Sequence, residues 1–389
     1  MLITPSLRNI LLVAAFVGQA SGHADGLLAV SNPAKNGDAT QGFASAEIFQ
    51  ANDNVALREY SGQWRGDYRS TSGSNLGVLF ARAEVGVQWQ GYRLFALQRG
   101  EAFVQANRDT ADLVHQYQTA SGYNTGRSYA LDYSMRGFEA DGLGISKAWK
   151  TSLSDRWQLR SGFGLSYLRG KRLKLETTTG QVVALDAKDL NATVTSDASN
   201  TSLNTTNLSE FNAPFGRQTS FSGDGYGLDG GLVLQDAKSG VRVDIGLTDI
   251  AGQIDWKNVP GNLTNYNSAS KYFDANGYAQ FDPTATRTST YRDLTQSLPL
   301  KAHFAVTYPW RLWEIEGAAS HTQGHWFPSL GVHYQVRPDW SLRADYDLRF
   351  NTVGIGLEHQ WVHVMLRTDN TNLNEAKAYG LAAKVKIPL

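Results

Sequence analysis

The chain has 389 residues, with 36 basic and 36 acidic side chains, 38 glycines, 10 tryptophans and no cysteine. A formal charge of zero leaves no electrostatic footprint for nucleic acid, and a chain without cysteine has neither disulfide staples nor thiolate metal sites. Aromatic residues make up 11% and the mean hydropathy is −0.35, which suits a secreted β-sandwich or a membrane barrel whose strands are half lipid-facing.

Met1 to Ala24 reads as a secretory signal peptide. Arg8 supplies the positive start, Ile10 to Val17 the apolar stretch, and Gly22-His23-Ala24 a small-residue cleavage site. That apolar run is well short of the ~20 residues a membrane helix needs, and no later stretch is long enough. Residues 25–57 precede the first expected strand. They begin with turn-rich Ser31-Asn32-Pro33-Ala34-Lys35-Asn36-Gly37 and continue into Ala44 to Ala51, which reads as weakly helical. Two roles are open for them: a periplasmic leader, or a plug folded into the domain that follows. Leu27, Leu28, Val30, Phe43, Ile48 and Phe49 would be wasted on a solvated leader.

From residue 58 the pattern has a period of two, because successive side chains of a strand point to opposite faces. Tyr60 to Tyr68 is the first expected strand. Leu79 to Gln90 and Tyr92 to Val104 follow, and a short helix is expected near Ala111 to Thr119. Arg127 to Thr151 keeps one parity throughout and reads as a single long strand, with a hairpin at Ala140-Asp141-Gly142 as the alternative. Trp157 to Tyr167 comes next. Residues 177–222 are rich in Thr, Ser, Asn and Asp and read as a solvated loop. Strands are expected at Tyr226 to Leu234 and Val241 to Leu247, then a second long polar loop at 261–295. Seven closely spaced strands finish the chain, at 298–308, 312–321, 326–336, 340–350, 352–359, 361–368 and 376–389. The total is about 14. Short connections alternate with long ones, the outer-membrane pattern of periplasmic turns and external loops.

Position separates the barrel from the sandwich. Trp89, Trp149, Trp157, Trp310, Trp313, Trp340 and Trp361 adjoin connections assigned as periplasmic, which makes an aromatic girdle. A soluble sandwich has no reason to collect them at one end. If the apolar parity meets lipid, the other parity lines the lumen. It carries Arg82, Glu84, Arg93, Arg99, Glu101, Arg160, Arg242, Asp244, Lys301, Arg343, Asp345, Asp347 and Arg349. Two arrangements fit this near-balanced set. Interlocked ion pairs could fill the interior, or facing charges could set a transverse field in a pore of weak anion preference. The run Arg343-x-Asp345-x-Asp347-x-Arg349 fits both, since neighbours two apart can pair with each other or across strands. Ser320, His321 and His325 in an external connection are the nearest approach to a nucleophile and base, or to a metal site. Polar surface and lumen lining explain them and His303, His333 and His363 better, so no catalytic residue, metal or cofactor is assigned, and the chain is not read as an enzyme.

The strand rhythm, the tryptophan girdle and the terminal run Tyr379-Gly-Leu-Ala-Ala-Lys-Val-Lys-Ile-Pro-Leu389 together resemble Gram-negative outer-membrane β-barrels over nearly the whole chain. The last strand resembles the one recognised by the barrel assembly machinery, though it ends in Pro388-Leu389 instead of an aromatic residue. About 14 strands behind an apolar N-terminal segment, with Ser31-Asn32-Pro33-Ala34 near the start, look like the long-chain fatty-acid transporter type, whose N-terminus plugs the barrel. The resemblance implies residence in the outer membrane, with lipids and the assembly machinery as partners. The expected organisation is signal peptide 1–24, leader or plug 25–57 and barrel 58–389. The expected function is passage of a small or amphipathic solute. The alternative is an interaction protein that works through loops 177–222 and 261–295.

Overall fold

A computed structural model describes residues 27–61, 64, 66–201, 222–268, 271–273, 279–281 and 284–389. The expected signal peptide, and most of the segment between 200 and 222, lie outside these. Eighteen strands are described in chain order: β1 (Gln41–Asn52), β2 (Asn75–Trp89), β3 (Tyr92–Ala106), β4 (Ser128–Ser152), β5 (Trp157–Ala184), β6 (Leu190–Asn200), β7 (Ser222–Asp236), β8 (Arg242–Asn267), β9 (Lys271–Phe273), β10 (Ala279–Phe281), β11 (Ala285–Ser297), β12 (Lys301–Trp310), β13 (Trp313–Thr322), β14 (His325–Arg337), β15 (Trp340–Asp347), β16 (Thr352–His359), β17 (Val362–Thr368) and β18 (Ala378–Pro388). One helix, α1 (Arg108–Thr119), is capped by Asn107, whose side chain accepts from Thr110 N–H at 2.8 Å.

Fourteen of the strands close an antiparallel barrel: β1 to β5, β7, β8 and β12 to β18, with β18 pairing back onto β1. Closure removes the sheet edges that would expose unpaired backbone groups to lipid. The wall is uneven in height. β4 has 25 residues, β5 28 and β8 26, against 8 in β16 and 7 in β17. A spanning strand needs about 9–11 residues, so the long strands project beyond the bilayer. Above β7, strand β6 takes its place between the upper halves of β5 and β8. Above β12, strand β11 does the same on the far side of β8.

Three expectations are corrected here. Residues 44–51 are not helical, and the barrel does not start at 58. β1 runs from Gln41 and pairs along its whole length with β2 and almost all of it with β18. Tyr60 to Tyr68 is not a strand. Leu57–Ser61 is a 3-10 turn, and the described residues up to 74 are bends and irregular chain. Trp64 and Tyr68 alternate because they stack on His115 of α1, not because they face lipid. The segments 177–222 and 261–295 are not loops throughout. Their Thr-rich stretches continue β5 and β8 and form β6 and β11, since threonine's branched side chain suits an extended sheet even without a core.

Ahead of β1, residues 27–37 lie inside the barrel. Leu27, Leu28 and Val30 pack with Phe49, Leu76, Val78, Phe80, Phe103, Phe327 and Phe350 in the external half of the lumen. The chain then descends through a 3-10 turn, Pro33–Lys35, to Asp38, whose carbonyl accepts from Gln90 N–H in the periplasmic β2–β3 turn. A second apolar cluster, around Phe95, Phe138, Leu168 and Trp256, fills the side enclosed by β3, β4, β5 and β8. The buried Trp256 ring fits only because Gly170 and Gly223 face it. A Cβ at either would stand 2.5 Å or 2.7 Å from the indole.

Candidate functional site: the plugged lumen

The outer face settles which solvent the barrel meets. Along β15, Trp340, Leu342, Ala344 and Tyr346 are exposed, while Arg343 and Asp347 between them are buried. The same inversion holds at Leu143 and Ile145 on β4, Phe163 and Leu165 on β5, Ile355 on β16 and Leu366 on β17, where large apolar side chains stand exposed. Exposed aliphatics around a closed barrel with a charged interior are the mark of a lipid-facing wall. Below this band the seven girdle tryptophans flank the periplasmic turns, several against a second ring: Trp89 stacks on Tyr92 at 5.6 Å, and Trp313 on Tyr334 and Trp340 on His359 are tilted pairs, each at 4.6 Å. The chain is an outer-membrane β-barrel.

Inside, twelve of the thirteen charged residues singled out from the sequence lie on the inner side of the wall, and Arg349 lies in an external turn. The structure brings them into three groups. The first is a bar of ion pairs across mid-lumen. Arg99 of β3 donates through Nε to Glu101 at 2.6 Å and through Nη1 to Asp249 at 2.9 Å. Lys301 of β12 binds Glu101, and Arg82 of β2 lies 2.7 Å from Glu84 and 3.9 Å from Asp229 of β7. β3 and β12 are separated around the wall by β4, β5, β7 and β8, so these pairs cross the lumen and do not merely run along it. Arg82, Arg99, Glu101, Asp229, Asp249 and Lys301 are all less than 8% exposed. Charges so buried persist only where paired and hydrogen-bonded.

The second group lies along one wall. Arg343 reaches Glu316 at 2.9 Å and Asp345 at 3.6 Å, and Arg367 binds Asp345 at 2.8 Å. Asp347 turns to accept from Phe350 N–H at 2.7 Å. Arg349 lies beyond the end of β15, in the external turn, and meets Asp53 at 2.5 Å. The third group faces the periplasm: Arg93 with Glu84, Arg242 with Asp244 at 2.9 Å, and Arg160, which donates to the Asn36 carbonyl.

Asp249 was not singled out from sequence, whereas Asp229 falls on the inward parity of its strand. They meet through a bulge. Leu228 pairs with Ala251 but Gly230 pairs with Leu247, so Thr248, Asp249 and Ile250 face a single residue, Asp229. Asp249 takes φ +60°, a left-handed conformation that aspartate tolerates. Its N–H donates to Asp229 at 3.1 Å and its carboxylate turns inward to Arg99. The same bulge brings in Thr248, whose Oγ1 accepts from Ser31 N–H of the plug at 2.7 Å.

The plug turn sits on a floor of glycine. A Cβ on Gly231 would be 1.9 Å from Asn32 Oδ1, one on Gly162 2.3 Å from Ala34 N, and one on Gly246 3.2 Å from Ser31 O. Asn32 Oδ1 accepts from Ala34 N–H at 3.1 Å, and Asn36 Nδ2 donates to Ser146 at 2.8 Å. Beneath the turn a cavity of about 480 Å³ runs to the periplasmic rim, bounded by β1, β2, β7, β8, β18 and the plug.

The histidines singled out from the sequence fall in separate places on the barrel. Ser320 pairs with His303 at 2.9 Å inside the wall, while His321 stacks on Trp326 and His325 lies near Phe103. His333 and His363 both face Glu358.

No protein-family model matches the chain, and a search of curated proteins finds no match. Among solved structures it is similar to a TodX deletion mutant described as a monoaromatic hydrocarbon channel, with 10% identity, 96% of each chain covered and a TM-score of 0.45. It is also similar to the toluene transporter TodX of Pseudomonas putida (10% identity, 96% of this chain and 95% of that one, TM-score 0.42) and to a FadL homologue of Pseudomonas aeruginosa (11% identity, 96% and 99%, TM-score 0.24).

Proposed function

We propose that this barrel passes a small or amphipathic solute across the outer membrane and that residues 27–37 are its displaceable plug. The observation that carries the reading is how the lumen is filled. A barrel of 14 strands encloses more space than its own inward side chains occupy, and here an N-terminal segment ahead of the first strand takes up the difference. That segment sits on a flat glycine floor through a few hydrogen bonds and one long Lys35–Asp244 contact, over a cavity that opens to the periplasm. On the same reading, the partners are outer-membrane lipids along the apolar belt and the barrel assembly machinery at β18.

Single-channel recording in planar bilayers tests this, comparing the mature protein with a version lacking residues 25–37. The deletion has to stop short of Gln41, because β1 closes the barrel. Steady conductance is expected from the shortened protein and rare openings from the intact one. Silence from both, with folding shown by heat-modifiable gel mobility, would refute transport. It would favour a second reading, in which a surface partner engages the sheet of β6 and β11 that stands above the membrane.

A further inference from the structure

The cavity beneath the plug is lined by seven lysines and arginines but only four carboxylates. Two of the four carboxylates are already divided between cations. Glu84 lies between Arg82 and Arg93, and Asp244 between Arg242 and Lys35. Lys384 and Lys386 face the same space from β18. Low-dielectric walls around an excess of positive charge concentrate the potential and draw in anions.

Two buried donors sharpen the demand. Asn32 uses its Oδ1 as the cap of the plug turn, and its Nδ2 has no acceptor among the described residues. Arg160 donates from one Nη to Asn36, and its buried Nε likewise has no acceptor. Buried N–H groups left unpaired are costly, and an oxyanion satisfies both them and the charge. Val30, Phe43 and Val233 supply an apolar side to the same cavity. Its volume of about 480 Å³ is within the range of small-molecule sites.

We propose that this cavity binds a small organic carboxylate, its charged end among Arg160, Asn32 and the cations of the periplasmic rim and its apolar body toward Val30 and Val233. The assignment rests on the lumen being a solute path and names the class of solute.

Titration calorimetry on the folded, full-length mature barrel in detergent tests it, with benzoate, toluene and inorganic phosphate as probes. Benzoate is expected to bind, more weakly as salt rises, and more tightly than toluene or phosphate. Asn32→Asp keeps the cap oxygen but puts a carboxylate where the N–H donor stood, and Arg160→Gln removes the charge. Each is expected to weaken benzoate at least about tenfold, with heat-modifiable mobility unchanged. Equal affinity for benzoate and toluene, or a folded Asn32→Asp protein that binds benzoate as the parent does, would overturn the proposal. Phosphate binding as tight as benzoate would overturn the carboxylate assignment. Binding is read without flux, so a silent barrel that binds benzoate refutes only conduction, and a conducting barrel that does not bind it refutes only the site.

Discussion

Gly231→Ala is the sharpest test of what holds the plug. The new methyl would stand 1.9 Å from Asn32 Oδ1 and 3.2 Å from Ala34 N, so either the Asn32 side chain swings out and gives up its cap or the turn lifts. The wall can accept alanine there, because Gly231 is ordinary strand paired to Gly162 and Gly246. Forcing a methyl into a filled site costs about 1–3 kcal/mol, and losing the Asn32 cap adds about 1 kcal/mol. At about 1.4 kcal/mol per tenfold, the docked plug loses a factor of about 30 to 700. Against this, burying Leu27, Leu28 and Val30 is worth about 1.5–3 kcal/mol each, so the closed state stays in the majority while openings become far more frequent. The assay is open probability in planar bilayers, with Gly317→Ala as the control, since no atom lies within 4 Å of a Cβ at Gly317. A folded Gly231→Ala barrel that opens no more often than Gly317→Ala would refute the glycine floor as the seat.

The mid-lumen bar makes a second prediction. Arg99→Leu or Asp249→Leu alone leaves a buried charge without its partner and is expected to cost about 3–5 kcal/mol, whereas the double variant should be less destabilised than the sum. Urea unfolding of the four proteins in detergent checks it, and simple additivity would count against a direct pair. A third prediction concerns pH outside the membrane. Burial holds the His115 imidazole below its ordinary value where it stacks on Tyr68 at 4.0 Å. A depressed histidine contributes stability that declines as pH falls below about 6.5. Burial also opposes ionisation of Asp112, but hydrogen bonds from Tyr68, Arg127 and Ser70 outweigh it and hold that carboxyl below the usual range. Its contribution goes only in stronger acid, through the depressed value. Amide exchange across α1, corrected for intrinsic rates, should therefore loosen in two steps, and His115→Phe should abolish the first.

Barrel parity was legible because lipid and lumen make opposite demands on alternate residues. Trp340 to Asp347 states both demands without interruption, and the inner charges followed from it. β1 was not legible, and the plug is the reason. Its inward Phe43 and Phe49 pack under Arg93 and against Leu27 and Leu28, while its outward face holds Ala44, Ala46 and Gln50 beside a single large apolar residue, Ile48. Large apolar residues on the lumen side and mostly small or polar ones on the lipid side blur the period of two. The same contacts that disguise the strand make the segment before it a plug. Tyr60 to Tyr68 misled in the opposite way, alternating aromatics that serve a stack on α1. Asp249 was hidden because a bulge resets the phase, so no fixed period could bring it to Arg99.

The arrangement of charge bears on how such a lumen could clear. The mid-lumen bar joins wall to wall, through Arg99 to Asp249 and Lys301 to Glu101, and none of those partners belongs to residues 27–37. The plug meets the wall through Ser31 on Thr248, Asn36 on Ser146 and the Asn36 carbonyl under Arg160, with Lys35 3.9 Å from Asp244. Displacing it therefore exposes three aliphatic side chains and breaks the Lys35–Asp244 contact and the Arg160 hydrogen bond, but leaves no bar residue without its opposite charge. A plug anchored in the bar itself would strand buried charges on leaving, at about 3–5 kcal/mol for each broken pair. Keeping the bar in the wall limits the charged part of the work of opening to Lys35 and Arg160, and the rest is apolar burial and the fit of one turn on three glycines.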